Sequence, residues 1–370
     1  MEAERIMIYP FTNDMRLYVE YELADNNAIS SLVCFKGSGH TGTAFNSNHG
    51  SLIVKDDFLS ELDNCTTILP AFYDDLPENG EYDFSNHNSR VNDLIFSRIK
   101  IAIEKGKKII ISHDESTWVE KIKAVADPEQ IISMDKILIR SDISSRRMHI
   151  IESPVLFLIN SFQGIDNNEI LFSISRELKR IGYKSTIVSS LTHPDLFGVY
   201  STKHIWGMNE ISDNHKIILL NNYLKEIEQI NESGILLVSV PGATAPYSHK
   251  AGLTFGSELF MMICGAYPDR CTLVLPFAHY NEKSLNEWNT YYKAKFGIGI
   301  SDYFITARAI LPNATEVYKS SQYLTIDEQK VNSYIEKQCF SAPVFSSTKV
   351  FAYVDKLVED LSDSTDIEIV

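Results

Sequence analysis

Positive charge is scarce in this chain. Its 34 lysines and arginines face 49 aspartates and glutamates, a formal net charge of −15, and no basic run offsets the deficit locally. Binding to nucleic acid or to an anionic membrane through a positive field is therefore not expected. Cysteine is scarce as well. Cys34, Cys65, Cys264, Cys271 and Cys339 are odd in number, widely spaced and never form a C-x-x-C pair. That pattern predicts buried free thiols in a reducing cytosol. No apolar run approaches the ~18 residues of a membrane span. The ten histidines show no H-E-x-x-H or other paired spacing, so no metal site is expected. The opening Met1-Glu2-Ala3-Glu4 is acidic and leads straight into a strand, so a signal peptide is not expected and the predicted location is cytoplasmic.

What remains is enough for a large core. The chain has 370 residues, 44% hydrophobic and 11% aromatic, which suits about two packed domains of ~150 residues each. Apolar runs at Arg5–Tyr9, Ala28–Phe35, Ser51–Val54, Thr66–Phe72 and Lys108–Ser112 read as strands. Asp56 or Asp57 is placed to cap a helix carrying Phe58, Leu59 and Leu62. The acidic stretch from Asp74 to Asn88 reads as a surface loop. Val91–Lys105 reads as a helix with Leu94, Ile95, Ile99 and Ile103 on one face and Gly106 as its stop.

Further on, strands are predicted at Val155–Ile159, Ser185–Ser189, Gly234–Val240, Cys271–Leu275 and from Asp302. Helices are predicted after Asn168, from Asp213 to about Asn231, and over Ser257–Ala266 and Leu285–Phe296, with two more in the tail from Asp327. The predicted fold class is α/β, with two domains, each a mostly parallel sheet flanked by helices. Residues 1–125 form a Rossmann-like domain, 126–150 a connector, and 151–370 a second α/β domain with a helical tail.

The stretch from Ser153 to Ile170 has the strand–loop–helix order of a phosphate-binding loop. Its chemistry departs from G-x-x-x-x-G-K-[ST]. No Lys occurs between Pro154 and Arg176, and Asn167-Asn168 stand where Lys-Ser or Lys-Thr is expected. Either this is a degenerate P-loop domain or an ordinary βα unit. In an open parallel sheet, the loops Asn160–Asn168, Ser189–His193 and Pro241–Tyr247 meet at the carboxyl edge, where ligands bind. The candidate ligand-binding residues there are Asn160, Phe162, Gly164, Asn167, Asn168, Pro241, Gly242 and Tyr247. The N-terminus of the following helix favours an anion such as a carboxylate. The competing reading has Phe162 folded inward, filling the old phosphate site.

A second candidate lies in the first domain. Gly37, Gly39 and Gly42 have the spacing of a G-x-G-x-x-G fingerprint, but the loop follows the second strand, and Thr43–Gly50 does not begin an apolar-faced helix. Lys36, Gly37, Gly39, Thr41 and Gly42 are read instead as a ligand-facing loop. Gly252–Gly256 imitates a nucleophile elbow with Thr254 in place of Ser, but has no strand before it. His193 and His249 lie in crevice loops. Asp166 and Glu169 can hold a divalent ion, or Glu169 is a first-turn residue favoured by the helix dipole.

Distributed matches suggest a family. They include Ile8-Tyr9-Pro10, the Lys36–Gly42 loop, Val54 with Asp56-Asp57-Phe58, Pro154–Phe157, Glu169-Ile170, Gly182-Tyr183-Lys184, Leu196-Phe197-Gly198, Val240-Pro241-Gly242, Pro246-Tyr247 with Lys250, and Phe296-Gly297. In these the chain resembles clostridial peptide maturation system proteins, which accompany radical-SAM enzymes and small precursor peptides. Its second half is similar to dethiobiotin-synthetase-like P-loop proteins. That resemblance implies glycines at the positions of Asn160 and Phe162, a Lys at Asn167 and an acid near Pro241, none of which is present here.

The resemblance therefore implies an accessory role in maturing a ribosomally made, modified peptide. The implied partner is the precursor peptide or its radical-SAM enzyme, with a homodimer allowed for. No cofactor is assigned, and nucleotide binding and enzyme activity are both doubted. The competing readings are an ATP-dependent ligase or acyl transferase acting on a peptide or amino acid, and, on the glycine loop alone, a dinucleotide-dependent oxidoreductase.

Overall fold

The computed structural model describes residues 5–12, 15–17, 19, 29–47, 50–71, 85–111, 117–133, 147–165, 167–191, 199–208, 211–232, 234–248 and 254–365. The chain divides into two compact units, the first comprising Met1–Leu138 with Asp195–Gly198 and the second Ile139–Pro194 with Val199–Val370.

The first unit is built on β1 (Ile6–Tyr9), β2 (Ile29–Val33), β3 (Ala44–Ser47), β4 (Gly50–Lys55), β5 (Thr67–Pro70), β6 (Lys108–Ile111) and β7 (Ile131–Ser133), in the order β3-β4-β2-β1-β5-β6-β7. All pairs are parallel except β3 with β4. Without β3, the order is third, second, first, fourth, fifth, sixth, that of a dinucleotide-binding sheet. Helices α1 (Phe58–Leu62), α2 (Ser85–Glu104) and α3 (Thr117–Lys123) connect the strands. Asp57 is the cap of α1, and its side chain accepts from the Leu59 and Ser60 N–H groups. Met7, Ile68 and Ile109 from the strands and Ile95, Ile99 and Ala102 from α2 close the core. Strands buried on both faces explain why these runs are apolar throughout rather than alternating.

Three expectations change here. Ser85–Asn88 is helical, not loop. Leu94 is 47% exposed, off the core face. The stretch read as a connector holds β7, which pairs with β6 through Ile131 and Ile132; a strand of three residues is too short to show a period.

The second unit contains β8 (Val155–Asn160), β9 (Ser185–Ser189), β10 (Tyr200–Ser201), β11 (Ile235–Ser239), β12 (Arg270–Leu275), β13 (Asp302–Ile305) and β16 (Val344–Ser346), in the order β10-β9-β11-β8-β12-β13-β16. Every pair is parallel. A separate antiparallel hairpin, β14 (Arg308–Ile310) with β15 (Tyr323–Thr325), follows β13. The helices are α4 (Asn168–Arg180), α5 (Lys203–Gly207), α6 (Asp213–Asn231), α7 (Ser257–Gly265), α8 (Glu282–Phe296), α9 (Pro312–Tyr318), α10 (Glu328–Glu336) and α11 (Val350–Thr365). Ser212, not Asp213, is the N-cap residue of α6.

The expected α/β class with two mostly parallel sheets is what the structure has. The first strand of the second unit lies at its centre, between β11 and β12. The chain fills one side of β8 before crossing to the other, and that reversal places a crevice at the carboxyl end of β8.

Buried ionic groups brace this unit. Arg270 reaches both oxygens of Asp302 and also pairs with Asp360 of α11. Glu228 of α6 accepts from the N–H groups of Glu152 and Ser153, fixing the chain as it enters β8. All five cysteines are free. Cys34, Cys65 and Cys271 are buried, but Cys264 and Cys339 are exposed, against the expectation of burial. Among the described residues, no helix is long and apolar enough to cross a membrane.

Candidate functional site

Because β8 and β11 are adjacent and parallel, the loops leaving their carboxyl ends lie side by side. The Thr244 N–H and hydroxyl both donate to the Asn160 carbonyl (3.1 and 2.8 Å), and the Ala245 N–H donates to Ser161 O (3.0 Å). On the β12 side, the Ser161 N–H and hydroxyl both donate to Val274 O (3.1 and 2.9 Å). From the hairpin, Arg308 Nη1 donates to Gly164 O (3.0 Å) and the Tyr323 hydroxyl to Gln163 O (2.5 Å). Gly164 has φ +80°, and a Cβ there would sit 3.0 Å from Tyr323 Cε2. Protein groups thus hold this loop from three sides.

Asn167 decides what the loop can do. It occupies the position at which a P-loop has its Lys, yet it is only 2% exposed. Its Nδ2 donates to Leu158 O (3.1 Å), and its Oδ1 accepts from the Ser239 hydroxyl (2.9 Å). A buried amide has to satisfy both ends, and here both are satisfied by strands β8 and β11. Asn167 is a strut between strands, with both ends of its amide turned onto the protein. Asn168 Oδ1 accepts from the Ser189 hydroxyl (2.9 Å) and so ties the start of α4 to the end of β9. Glu169 lies in the first turn of α4.

Phe162 stands edge-on to Tyr247 (5.8 Å between ring centres) and to Trp288 (5.6 Å). Its ring is half-buried beside these two. Beneath them, the Tyr292 hydroxyl bonds to that of Thr244, and burial pushes the Tyr292 phenol well above its ordinary pKa. Asn160 Oδ1 is buried without a hydrogen-bond partner among the described residues. Pro241 is half-buried. Gly242 is exposed with φ +73°, and the nearest atom to an added Cβ is Glu258 Oε2 at 3.9 Å.

In the first unit, the glycine loop is a turn from β2 into β3. Gly37, Gly39 and Gly42 have φ of +85°, +83° and +85°, with nothing within 4 Å of an added Cβ. They serve left-handed backbone, not close approach to a pyrophosphate. The Thr41 hydroxyl lies 3.4 Å from Cys34 Sγ, and the Gly42 N–H donates to Val54 O. A strand follows instead of a helix, so the dinucleotide reading loses its structural context.

Beside this loop, a cavity of about 870 Å³ opens at the carboxyl ends of β1, β2 and β4. Tyr9, Phe35 and Phe58 form its aromatic floor, with ring centres 5.6 and 4.6 Å from Tyr9. Arg98 of α2 lies over the Phe58 ring, 5.9 Å from its centre. Burial pushes the Tyr9 phenol up to about 12, and the neighbouring Arg98 guanidinium offsets part of the rise. Lys36, Gly37, Asp56 and Asp57 lie around the opening.

Sequence reasoning found Lys36 and Gly37 but missed Tyr9, Phe58 and Arg98. A signal was available: Val91, Leu94 and Arg98 share a helical face one residue off the buried stripe. It also missed Arg308 and Tyr323. Asp166, His193, His249, Lys250, Leu196-Phe197-Gly198 and the start of the Gly252–Gly256 segment lie outside the described residues.

No family model and no curated protein matches the chain. Among solved structures it is similar to a DUF1611 family protein from Anabaena variabilis ATCC 29413, with a TM-score of 0.58, 10% identity, and coverage of 96% of this chain and 99% of that one. It is also similar to HypB from Helicobacter pylori in complex with nickel, with a TM-score of 0.30, 13% identity, and coverage of 57% of this chain and 88% of that one. At such identity the first likeness shows the fold alone, and the second carries no argument.

Proposed function

We propose that this chain is an accessory binding protein without phosphoryl-transfer activity, serving the maturation of a ribosomally made, modified peptide. The observation that supports the first half is the Asn167 strut. Phosphoryl transfer relies on cations placed at the transferring group. Here the Lys position is an amide turned inward onto Leu158 O and the Ser239 hydroxyl. The loop carbonyls are held by Arg308 and Tyr323, and the rings of Phe162, Tyr247 and Trp288 gather beside it. The role in peptide maturation, with a precursor peptide or a radical-SAM enzyme as partner, rests on the family resemblance. The proposed setting is the cytosol, where unpaired thiols such as the exposed Cys264 and Cys339 persist.

The test is thermal unfolding and phosphate release of the full chain with Mg-ATP and Mg-GTP. A ligand that binds only the native state raises its apparent stability. Neither nucleotide should shift the melting curve, and phosphate release should match the blank. A saturable shift, or turnover that disappears in Glu169→Ala, overturns the reading.

A further inference from the structure

The cavity of the first unit has a charge pattern that its own residues leave unanswered. Acidic residues outnumber basic ones by 49 to 34 in the chain, so a cation lining a cavity would ordinarily find a carboxylate. Arg98 does not. Half-buried on α2, it touches the Phe58 ring and the Tyr9 phenol, and among the described residues it pairs with no acid. Lys36, at the end of β2, is likewise without a carboxylate partner among them. Asp56 is exposed at the opening and pairs with no cation among the described residues, whereas Asp57 is committed to capping α1. A guanidinium that has no counter-ion among the described residues, beside an apolar floor, is a place for an anion with an apolar body.

We infer that this cavity binds a short apolar peptide, with its terminal carboxylate held by Arg98 and Lys36, its side chains on the Tyr9–Phe35–Phe58 floor and its amino end toward Asp56. The volume of about 870 Å³ lies in the upper part of the range of small-molecule sites, ~300–1,000 Å³, and exceeds what a single amino acid fills. A nucleoside monophosphate is also a flat organic anion of suitable size. It fits less well, because two aspartates at the opening repel a dianion and match an ammonium group. The aromatic floor supplies contact area at little cost in side-chain freedom, because these rings already pack on one another.

The inference stands on the cavity alone. Nucleotide turnover and peptide binding are read separately, so either can fail without the other.

The experiment is calorimetric titration of the full chain with the dipeptide Leu-Phe, its C-terminal amide, its N-acetyl form and AMP. The dipeptide should bind saturably. The amide, and the dipeptide with Arg98→Gln, should bind at least ~10-fold more weakly, as expected for loss of a charge-assisted bond. Asp56→Asn should weaken the free dipeptide but not the N-acetyl form. If Arg98→Gln does not fold, Lys36→Gln on the exposed loop replaces it, with loss in the same direction expected. Absence of binding by the dipeptide, unchanged affinity in the cation variants, or AMP binding more tightly than the dipeptide each overturns the assignment.

Discussion

Replacing Asn167 and Ser239, singly and together, tests whether the loop after β8 is a structural device. In Asn167→Ala two hydrogen bonds disappear, each worth ~1 kcal/mol net. Leu158 O keeps a partner, because it also accepts from the Val240 N–H at 3.0 Å. The Ser239 hydroxyl, 3% exposed, loses the one bond it makes among the described residues, and an unpaired buried hydroxyl costs ~1–3 kcal/mol. The single substitution should therefore destabilise the second unit by ~2–4 kcal/mol. Ser239→Ala leaves Asn167 Oδ1 unpaired and should cost ~1–3 kcal/mol. The double variant removes both members and should cost no more than Asn167→Ala alone, a coupling of ~1–3 kcal/mol, within the range for residues in contact.

The assay is urea unfolding followed by tryptophan fluorescence in a Trp118→Phe background, which leaves Trp206 and Trp288 of the second unit as reporters. The transition of that unit is fitted by itself, since a protein of two units need not unfold in one step. If the double variant costs the sum of the singles to within ~0.5 kcal/mol, the two residues do not interact and the strut reading is wrong.

Two other outcomes follow from the geometry. In Gly256→Ala the new Cβ would lie 2.7 Å from Phe296 Cζ and 3.2 Å from Thr244 Cα at φ +69°, so a loss of ~2–5 kcal/mol is expected from strain and overpacking together. Gly297→Ala, at φ +73° with nothing within 4 Å, should cost only the backbone term of ~1–2 kcal/mol; equal losses in urea titrations would refute the packing argument. For Glu228, burial pushes the carboxyl pKa up, but the Lys225 ammonium and the N–H groups of Ser153 and Glu152 more than reverse it, leaving it below the usual range. Its stabilisation is therefore full above the unfolded pKa and lost as pH falls through the folded one. Glu228→Gln should lower the melting temperature at neutral pH and flatten its fall toward about pH 3; a parallel shift at every pH would count against this.

Much of the architecture was legible because buried parallel strands are written as unbroken apolar runs. Val155–Ile159, Gly234–Val240 and Cys271–Leu275 were found on that basis, and the cap was narrowed to Asp56 or Asp57 on side-chain chemistry, of which Asp57 is the one used. What stayed hidden was set by contacts between distant residues. The hairpin β14–β15 is made of three-residue strands without a turn signature, and β7 is as short. The spacing of the glycine loop was visible, but not that a strand follows it. At Asn167 the missing Lys was plain from sequence. That the replacement turns inward was not, because the direction of a side chain at a helix start depends on which strand ends surround it. Arg98 was similarly opaque, since a cation with no acid partner among the described residues is recognised only when its neighbours are known.

The clamp on the loop after β8 also has a consequence for the order of assembly. Its partners Arg308 and Tyr323 lie 144 and 160 residues beyond the carbonyls they hold. A growing chain exposes Gln163 and Gly164 long before the ribosome has made the groups that secure them. The centre of the sheet can assemble from β8, β9 and β11, but the loop at its edge stays loosely held until the hairpin emerges. Contacts of such sequence separation form late and slowly. This loop, held from three sides in the mature second unit, is therefore among the last parts of it to settle during synthesis, and a nascent chain stopped before residue 308 would carry the strand and the helix without the latch between them.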